Sequence, residues 1–508
     1  MIREWRLLFW VCLAINSVVE AQNPLGLRAS SALRGILFGT AANVNNLRKD
    51  VDGGQYNSFI KKNYHVIEPE NDFKPMKLWH GINNYNWSNC DWLLGATTNS
   101  TGWAQQNGMQ IRGHTLVWAN DKNIPNWLLK QESSISSEKV KSLMYDYIHA
   151  VVGRYRGKVP WWDVVNEAID DSKNNSRPFN LRDNFWYRKL GPDFVKYAFI
   201  FAQQADPQAK LYYNDYNNED MGTKATRGFE MLKWVRSQGA TVHGIGMQWH
   251  IRVSKNVKFA DQHYQNAQRL IDNSFEFMVT ELDVAIQIND GNPRDPNDVE
   301  KQGLLYRSIL KYVLYFSPKC RALITWGFTD RYSWVPAFYN GTEGAALPID
   351  WNYQPKLAYW QMQEELARVL PNGNYRLSPE YPPNKCLGVY DNNITRSVIQ
   401  LYDDGCNTPN KKWTITWLNH GTYRLSPVST SVHALSTYNT TASIGEVKIN
   451  NSLFDINQEW VFSSYGKNLF RIRPRSAWWR ALSVYGTTNV GIIDFINGDN
   501  KRWTVTSI

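Results

Sequence analysis

Cysteine is scarce in this chain, five residues in 508. So few in so long a chain exclude a small fold stapled by disulfides, and no metal-ligand spacing of Cys or HExxH pattern among the nine histidines is present. No metal site is therefore expected. Long hydrophobic runs are missing too. The most apolar stretch, "LLFWVCLAI", holds nine residues, too few to span a bilayer, so no membrane association is expected. There is no glycine-rich phosphate loop and no Rossmann fingerprint in strand-to-helix context, and no cofactor is expected. The formal net charge of +10 is spread along the chain without a Lys/Arg block. With no recognition motif beside it, nucleic acid is not the expected partner, whereas acidic polysaccharide or cell-wall material suits the charge.

What is abundant is aromatic: 23 Trp and 27 Tyr. Any one of them packs a core by default, but a surplus of this size suits a protein that stacks flat, amphipathic ligands such as sugar rings. The length points to two domains, one of them large. At the N-terminus Arg3 and Arg6 precede the apolar run, and Val19 and Ala21 stand at the small-residue cleavage positions. Residues 1–21 therefore read as a secretory signal, and a soluble, monomeric, extracellular mature protein is expected. Its removal takes Cys12 and leaves Cys90, Cys320, Cys386 and Cys406, for which an oxidising compartment favours pairing. Glycosylation sequons begin at Asn86, Asn99, Asn174, Asn340, Asn393, Asn439 and Asn450.

From about residue 36 to 330, short apolar runs alternate with amphipathic stretches. The runs are "GILFGTAAN", "NYHVIEPEND", "MQIRGHTLVW", "VPWWDVVNEA", "AKLYYNDYN", "VHGIGMQWH", "EFMVTELDV" and "RALITWGFTD". Eightfold strand–helix alternation predicts a closed parallel barrel ringed by helices, the (β/α)8 or TIM barrel, over residues 22–370. Each run ends in polar or ionisable residues: Asn43, Glu70-Asn71, His114, Asn166-Glu167, Asn214-Asp215, Gln248 with His250, Glu281 and Asp330. One or two of these are expected to be helix caps; together they mark a site at the carboxyl ends of the strands. Glu167 and Glu281, 114 residues apart in sequence, would then face one cleft. Two carboxylates flanking a bond are what hydrolysis of a glycosidic bond requires.

The motifs "RGHTLVW", "WWDVVNEA", "GIGMQWH", "VTELDV" and "TWGFTDRYSW" stand in the order and chemistry of glycoside hydrolase family ten, and residues 38 to 360 resemble these xylanases. The resemblance implies a secreted endo-β-1,4-xylanase acting on xylan, with Glu167 as general acid/base and Glu281 as nucleophile of a retaining double displacement. It places Asn166 on the sugar 2-hydroxyl, His250 against Glu281 with Gln248 beside it, and His114 and Trp118 on one strand face toward the cleft. Glu70, Asn71 and Lys74 of "PENDFK" would hydrogen-bond the sugar on the glycone side, Trp326 and Trp334 would form its floor and wall, and Tyr216 belongs to the same cleft. Trp249 departs from the family, which more often has a small residue there; strand alternation turns it toward the helix layer.

Past residue 370, helical periodicity stops and "LPNGNY" forms a link. Residues 371–508 then repeat: "YRLSP" at Tyr375 returns at Tyr423 and as "FRIRP" at Phe470, and each unit ends in Asn-x-x-Trp at Trp413, Trp460 and Trp503. Three strand-rich units imply a threefold all-β module. It resembles a ricin-type β-trefoil, which implies a disulfide between Cys386 and Cys406 and a carbohydrate-binding fold. The aspartate that trefoil lectins use on sugar hydroxyls is replaced by Gly388, Ser436 and Ser483, so polysaccharide binding by this module would fall to other residues such as Tyr390, Tyr438 and Tyr485. That row reads equally well as core. A related β-1,4-glucanase and a non-catalytic secreted lectin are the alternatives to a xylanase.

Overall fold

A computed structural model describes residues 26–32, 34–97, 99–172, 174–255, 259–390, 399–418, 422–451, 455–466, 468–477, 480–494 and 501–508. The expected signal segment and the sequon at Asn393 lie outside them. The chain divides into two compact units, one of residues 35–362 and one containing residues 26–34 and 363–508, and the cut falls inside the helix Leu357–Ala367.

In the larger unit eight strands close a barrel: β1 (Leu37–Ala42), β2 (Val66–Pro69), β3 (Gln110–Gly113), β4 (Trp161–Asn166), β5 (Lys210–Asp215), β6 (Gly244–Met247), β7 (Glu276–Asn289) and β8 (Cys320–Thr325). Each pairs in parallel with the next, and β8 returns to β1. The eight apolar runs read from the sequence are these strands, and the TIM barrel is borne out. Parallel strands covered on both faces need apolar residues at successive positions, which is why "WWDVVN" and "GIGM" are buried throughout rather than alternating. Leu37, Val66, Trp161, Tyr212, Met278, Ala322 and Ile324, from six different strands, pack into one cluster, the filled interior of the barrel. Gly246 is needed where that interior is tightest, because a Cβ there would lie 2.1 Å from Asn214 and 2.9 Å from Arg112.

The outer ring is built from amphipathic helices. In Ser137–Arg154 the buried residues Val140, Leu143, Met144, Tyr147, Ile148 and Val151 recur every three or four positions, and Ser136 caps the start through the N–H of Lys139. Trp249 does turn into this layer, with φ of 57°, and stacks on His263 and Phe259.

The second unit carries twelve strands among its described residues. Six close an antiparallel barrel: β9 (Gly373–Pro379), β12 (Trp413–Leu418), β13 (Thr422–Pro427), β16 (Trp460–Gly466), β17 (Leu469–Pro474) and β20 (Trp503–Ser507). The other six form hairpins β10 (Cys386–Val389) with β11 (Ile399–Tyr402), β14 (His433–Tyr438) with β15 (Gly445–Asn451), and β18 (Arg480–Tyr485) with β19 (Asn489–Asp494). The sequence repeat is visible in the bonding. Trp413, Trp460 and Trp503 are fully buried, and each indole donates to a carbonyl of its own hairpin, Leu387, Leu435 and Leu482, at 2.9, 2.9 and 2.8 Å.

Cys386 and Cys406 are disulfide-bonded. Cys90 and Cys320 are free, buried thiols, so the pairing expected of four cysteines extends to one pair only. The Tyr390, Tyr438 and Tyr485 row is not core: Tyr390 is 42% exposed and the other two are half-buried. Gly388, Ser436 and Ser483 are buried instead, with the serine hydroxyls donating to Ala434 and Ala481 two residues back.

Candidate active site

Above the carboxyl ends of the barrel strands lies a cleft of about 730 Å³. It brings together Glu70, Asn71, Lys74, His114, Trp118, Glu167, Tyr216, Gln248, His250, Glu281, Trp326 and Trp334, with Asn166 buried just beneath them. Not every polar strand end belongs to it. Asn43 caps the helix Val44–Lys49, accepting from the N–H of Asn46. Asp330 is paired with Lys356 at 2.9 Å, and Asp215 with Lys224 at 3.0 Å.

Glu281 is held on both oxygens. Asn214 Nδ2 donates to Oε1 at 2.7 Å and His250 Nε2 to Oε2 at 3.1 Å. The other ring nitrogen of His250 meets Asp283 at 2.9 Å, and Trp334 Nε1 donates to the same Asp283 oxygen at 2.8 Å. Burial alone would discharge His250, but two carboxylates, one at each nitrogen, outweigh it and hold the ring protonated. Burial alone would also raise Glu281. The hydrogen bond from His250, the positive fields of His114 and His250 and the Asn214 amide win, and Glu281 stays ionised well below the ordinary carboxylate range.

Glu167 is arranged the other way. It follows the last residue of β4 with φ of 56°, a left-handed conformation that costs a side-chain-bearing residue about 1–2 kcal/mol and is fixed by its N–H bond to the Asn214 carbonyl. The backbone thus leaves the strand sharply and presents the carboxyl to the cleft. Trp118 Nε1 donates to one oxygen at 3.0 Å and Gln248 Nε2 to the other at 3.1 Å. Burial and the negative fields of Asp215 and Glu281 exceed these two bonds, so its pKa is raised. Two carboxyls in one cleft are pushed apart, one toward the acid and one toward the base, which is the arrangement for a proton donor beside a nucleophile.

Asn166 links the two. Its Oδ1 accepts from Asn214 at 2.9 Å and Gln248 at 3.3 Å, while its Nδ2 has no partner among the described residues. A buried donor left unsatisfied costs about 1–3 kcal/mol, and a ligand hydroxyl removes that cost.

Farther along, Lys74 donates to Asn71 at 3.1 Å and stands 5.1 Å from the Trp118 ring and 5.6 Å from that of Trp326. His114 packs edge-on to Trp326 at 5.3 Å. Tyr216 donates its hydroxyl to Asp171 and accepts from Arg182, so it is braced rather than free.

A layer deeper, sequence patterns gave no warning of a buried ion cluster. Arg112, Glu68 and Asp163 have wholly buried side chains, Arg112 bonded to Glu68 at 2.9 Å and to Asp163 through both terminal nitrogens. His114 Nδ1 completes it at 2.9 Å from Asp163. Glu68, His114 and Asp163 converge as metal ligands do, but the Arg112 guanidinium and the His114 ring already supply positive charge to the two carboxylates. Asp283 was legible by strand alternation, two places beyond Glu281. Arg112 and Glu68 likewise stand two places before His114 and Glu70, but alternation does not show that they are buried together as a pair. Arg182, Lys122, Arg252, Phe338 and Tyr339 also line the cleft, and they lie in loops, in short helical turns or at a strand end where no motif marks them.

Comparison with known proteins locates this arrangement. The sequence profile of Glycosyl hydrolase family 10 matches residues 26–365. The chain is 34% identical over 344 residues to endo-1,4-beta-xylanase B of Thermotoga neapolitana, covering 68% of this chain and 92% of the relative. It superposes on the native xylanase 10B of Thermotoga maritima with a TM-score of 0.61 at 32% identity, over 68% of this chain and 98% of that one. The xylanase 10B of Thermotoga petrophila in complex with xylobiose gives the same TM-score and identity, over 68% of this chain and 97% of that one.

Proposed function

This chain belongs to glycosyl hydrolase family 10, and from that premise we propose that it is an endo-1,4-β-xylanase working by retaining double displacement through Glu167 and Glu281. The observation that carries the reading is the opposite displacement of the two carboxyls in one cleft. Glu281, ionised and aimed by His250 and Asn214, attacks the anomeric carbon. Glu167, still protonated, gives its proton to the departing glycosidic oxygen. Once Glu281 is esterified its charge is gone, and one of the fields raising Glu167 goes with it. Glu167 then loses a proton more readily and acts as base on the incoming water, so one residue serves both steps. The open Nδ2 of Asn166 is the donor for the sugar 2-hydroxyl, a contact that strengthens in the transition state.

Substrate choice follows from the walls. Glu70, Asn71 and Lys74 offer polar contacts, while Trp326 and Trp334 leave flat apolar surface that suits xylose, a sugar without a 5-hydroxymethyl group. The signal-like N-terminus supports secretion. For the second unit we propose a ricin-type β-trefoil, supported by the six-stranded barrel, the three hairpins and the three equivalent tryptophan bonds. With Gly388, Ser436 and Ser483 buried, any polysaccharide bound there meets exposed Tyr390 and its counterparts Tyr438 and Tyr485 instead.

Chromatography of products from soluble xylan and soluble cellulose, side by side, tests the enzymatic reading. Xylobiose and xylotriose from xylan, with little from cellulose, are expected. Glucose oligomers would make the protein a β-1,4-glucanase. No product from either, with the fold intact, would leave a sugar-binding protein.

A further inference from the structure

Four cationic side chains other than histidine stand on the cleft, and two of them are engaged. Lys74 is bonded to Asn71, and Arg182 is held by Asp171 at 3.2 Å and by the Tyr216 hydroxyl. Lys122 sits exposed in the short helical turn Asp121–Asn123, and among the described residues only its backbone N–H is bonded, to Asn120. Arg252 is different from all three. It is half-buried, yet among the described residues its guanidinium makes no ion pair and no hydrogen bond; what holds it is the ring of Tyr339, 4.8 Å away.

Its direction is set by the backbone. The short strand His250–Arg252 runs parallel to β7, pairing His250 with Asp283 and Arg252 with Ala285. Ile251 is buried between them, so Arg252 shares the side of His250, facing the cleft two residues beyond the group that grips Glu281. The negative charge of Glu281 is already matched by His250, and Asp283 by His250 and the Trp334 indole. Nothing in the reacting pair requires a further cation.

A guanidinium laid on a tyrosine ring gains about 0.5–1 kcal/mol and keeps its planar row of donors turned outward. That row matches a carboxylate bidentately, with geometry that an ammonium such as Lys122 lacks. A neutral xylose chain has only hydroxyls to offer it. We propose that Arg252, braced by Tyr339, is a receptor for the carboxylate of a uronic-acid group pendant on the substrate chain, so that the enzyme favours acid-decorated over undecorated xylan. The overall charge of +10 points the same way, since it draws an anionic polysaccharide toward the surface before the specific contact forms.

This inference rests on the xylanase reading, and the experiment separates the two. kcat/KM is measured on glucuronoxylan and on linear xylohexaose, and the ratio between them is the readout. The ratio is expected to fall roughly tenfold in Arg252→Ala, as for loss of a charged hydrogen-bonded pair, with Arg252→Lys intermediate because it keeps the charge and loses the fork. In the wild type the ratio is expected to shrink as salt rises toward about 1 M. Should alanine impair folding, Arg252→Gln, of similar length and neutral, repeats the comparison. A ratio that is the same in Arg252→Ala or Arg252→Gln as in the wild type, both substrates losing alike, overturns the receptor and leaves Arg252 a packing residue. Failure of the wild type to hydrolyse either substrate overturns the xylanase reading and the receptor with it.

Discussion

Trp118 donates one hydrogen bond to the carboxyl of Glu167, and that bond favours the ionised form. Trp118→Phe keeps the ring and removes the donor, so the proton on Glu167 is held more tightly. The alkaline limb of the kcat/KM profile should move to higher pH in this variant, and a limb that stays or moves down would remove Glu167 from the acid's role. On the acid side the sign is opposite. Glu281 lies below its ordinary range, so activity persists as pH falls until that depressed value is reached. His250→Asn takes away the protonated ring that depresses it, and the acid limb should rise toward ordinary carboxylate values in the same pH–rate measurement. Glu281→Ala removes the nucleophile itself. Turnover should drop by on the order of 10⁴-fold with circular dichroism unchanged, and comparable activity in that variant would end the mechanism. The two carboxyls were legible in the sequence because each closes an apolar run whose strand character is plain. Their hydrogen-bond partners were legible only in part. Strand alternation pointed Gln248 and His250 the same way, and both reach the cleft. But β6 stops at Met247 and Trp249 has a left-handed φ, so no continuous strand face joins them. The amide bridge of Asn214 needs the register of β4, β5 and β7 to be known.

At the scale of elements, Arg112 on β3 joins Glu68 on β2 to Asp163 on β4, three adjacent strands tied by one fully desolvated cluster beneath the cleft. Arg112→Leu leaves two buried carboxylates with only the His114 ring to balance them, and a loss of about 3–5 kcal/mol is expected in urea unfolding. A loss below about 1 kcal/mol would mean that the carboxylates take up protons or water at little cost. This cluster was opaque to sequence reasoning for a physical reason. A buried charge is intelligible only when its partner is known, and here the partners lie 44 and 51 residues away. The strands themselves were the easy part, since parallel strands buried on both faces must be apolar throughout. The strand ends were less uniform than they read. Asn43 and Asp330 serve a helix cap and an ion pair, uses that side-chain type alone does not distinguish from cleft duty.

At the scale of the whole molecule, the chain joins a barrel that carries the chemistry to an all-β unit with its own core, 26 buried residues among those described, from Leu370 to Val505. The Cys386–Cys406 bond closes a loop of 20 residues in that unit. Replacing both cysteines by serine should lower the unit's stability by about 3 kcal/mol, followed by calorimetry, while kcat on a short soluble substrate below the transition stays at the wild-type value. A fall in kcat would tie the chemistry to the second unit. The threefold repeat was readable because equivalent residues recur at nearly constant spacing. What each repeat exposes was not, since alternation places Tyr390 and Gly388 on one strand face and only the packed hairpins show Gly388 buried and Tyr390 open.

The division of labour between the two glutamates is tested most directly by trapping. The protein is incubated with an activated 2-deoxy-2-fluoro-β-xylobioside, digested, and the labelled peptide mapped by mass spectrometry. A covalent sugar on Glu281 is the predicted result. A label on Glu167, or none on a folded protein that hydrolyses xylan, would contradict the double displacement.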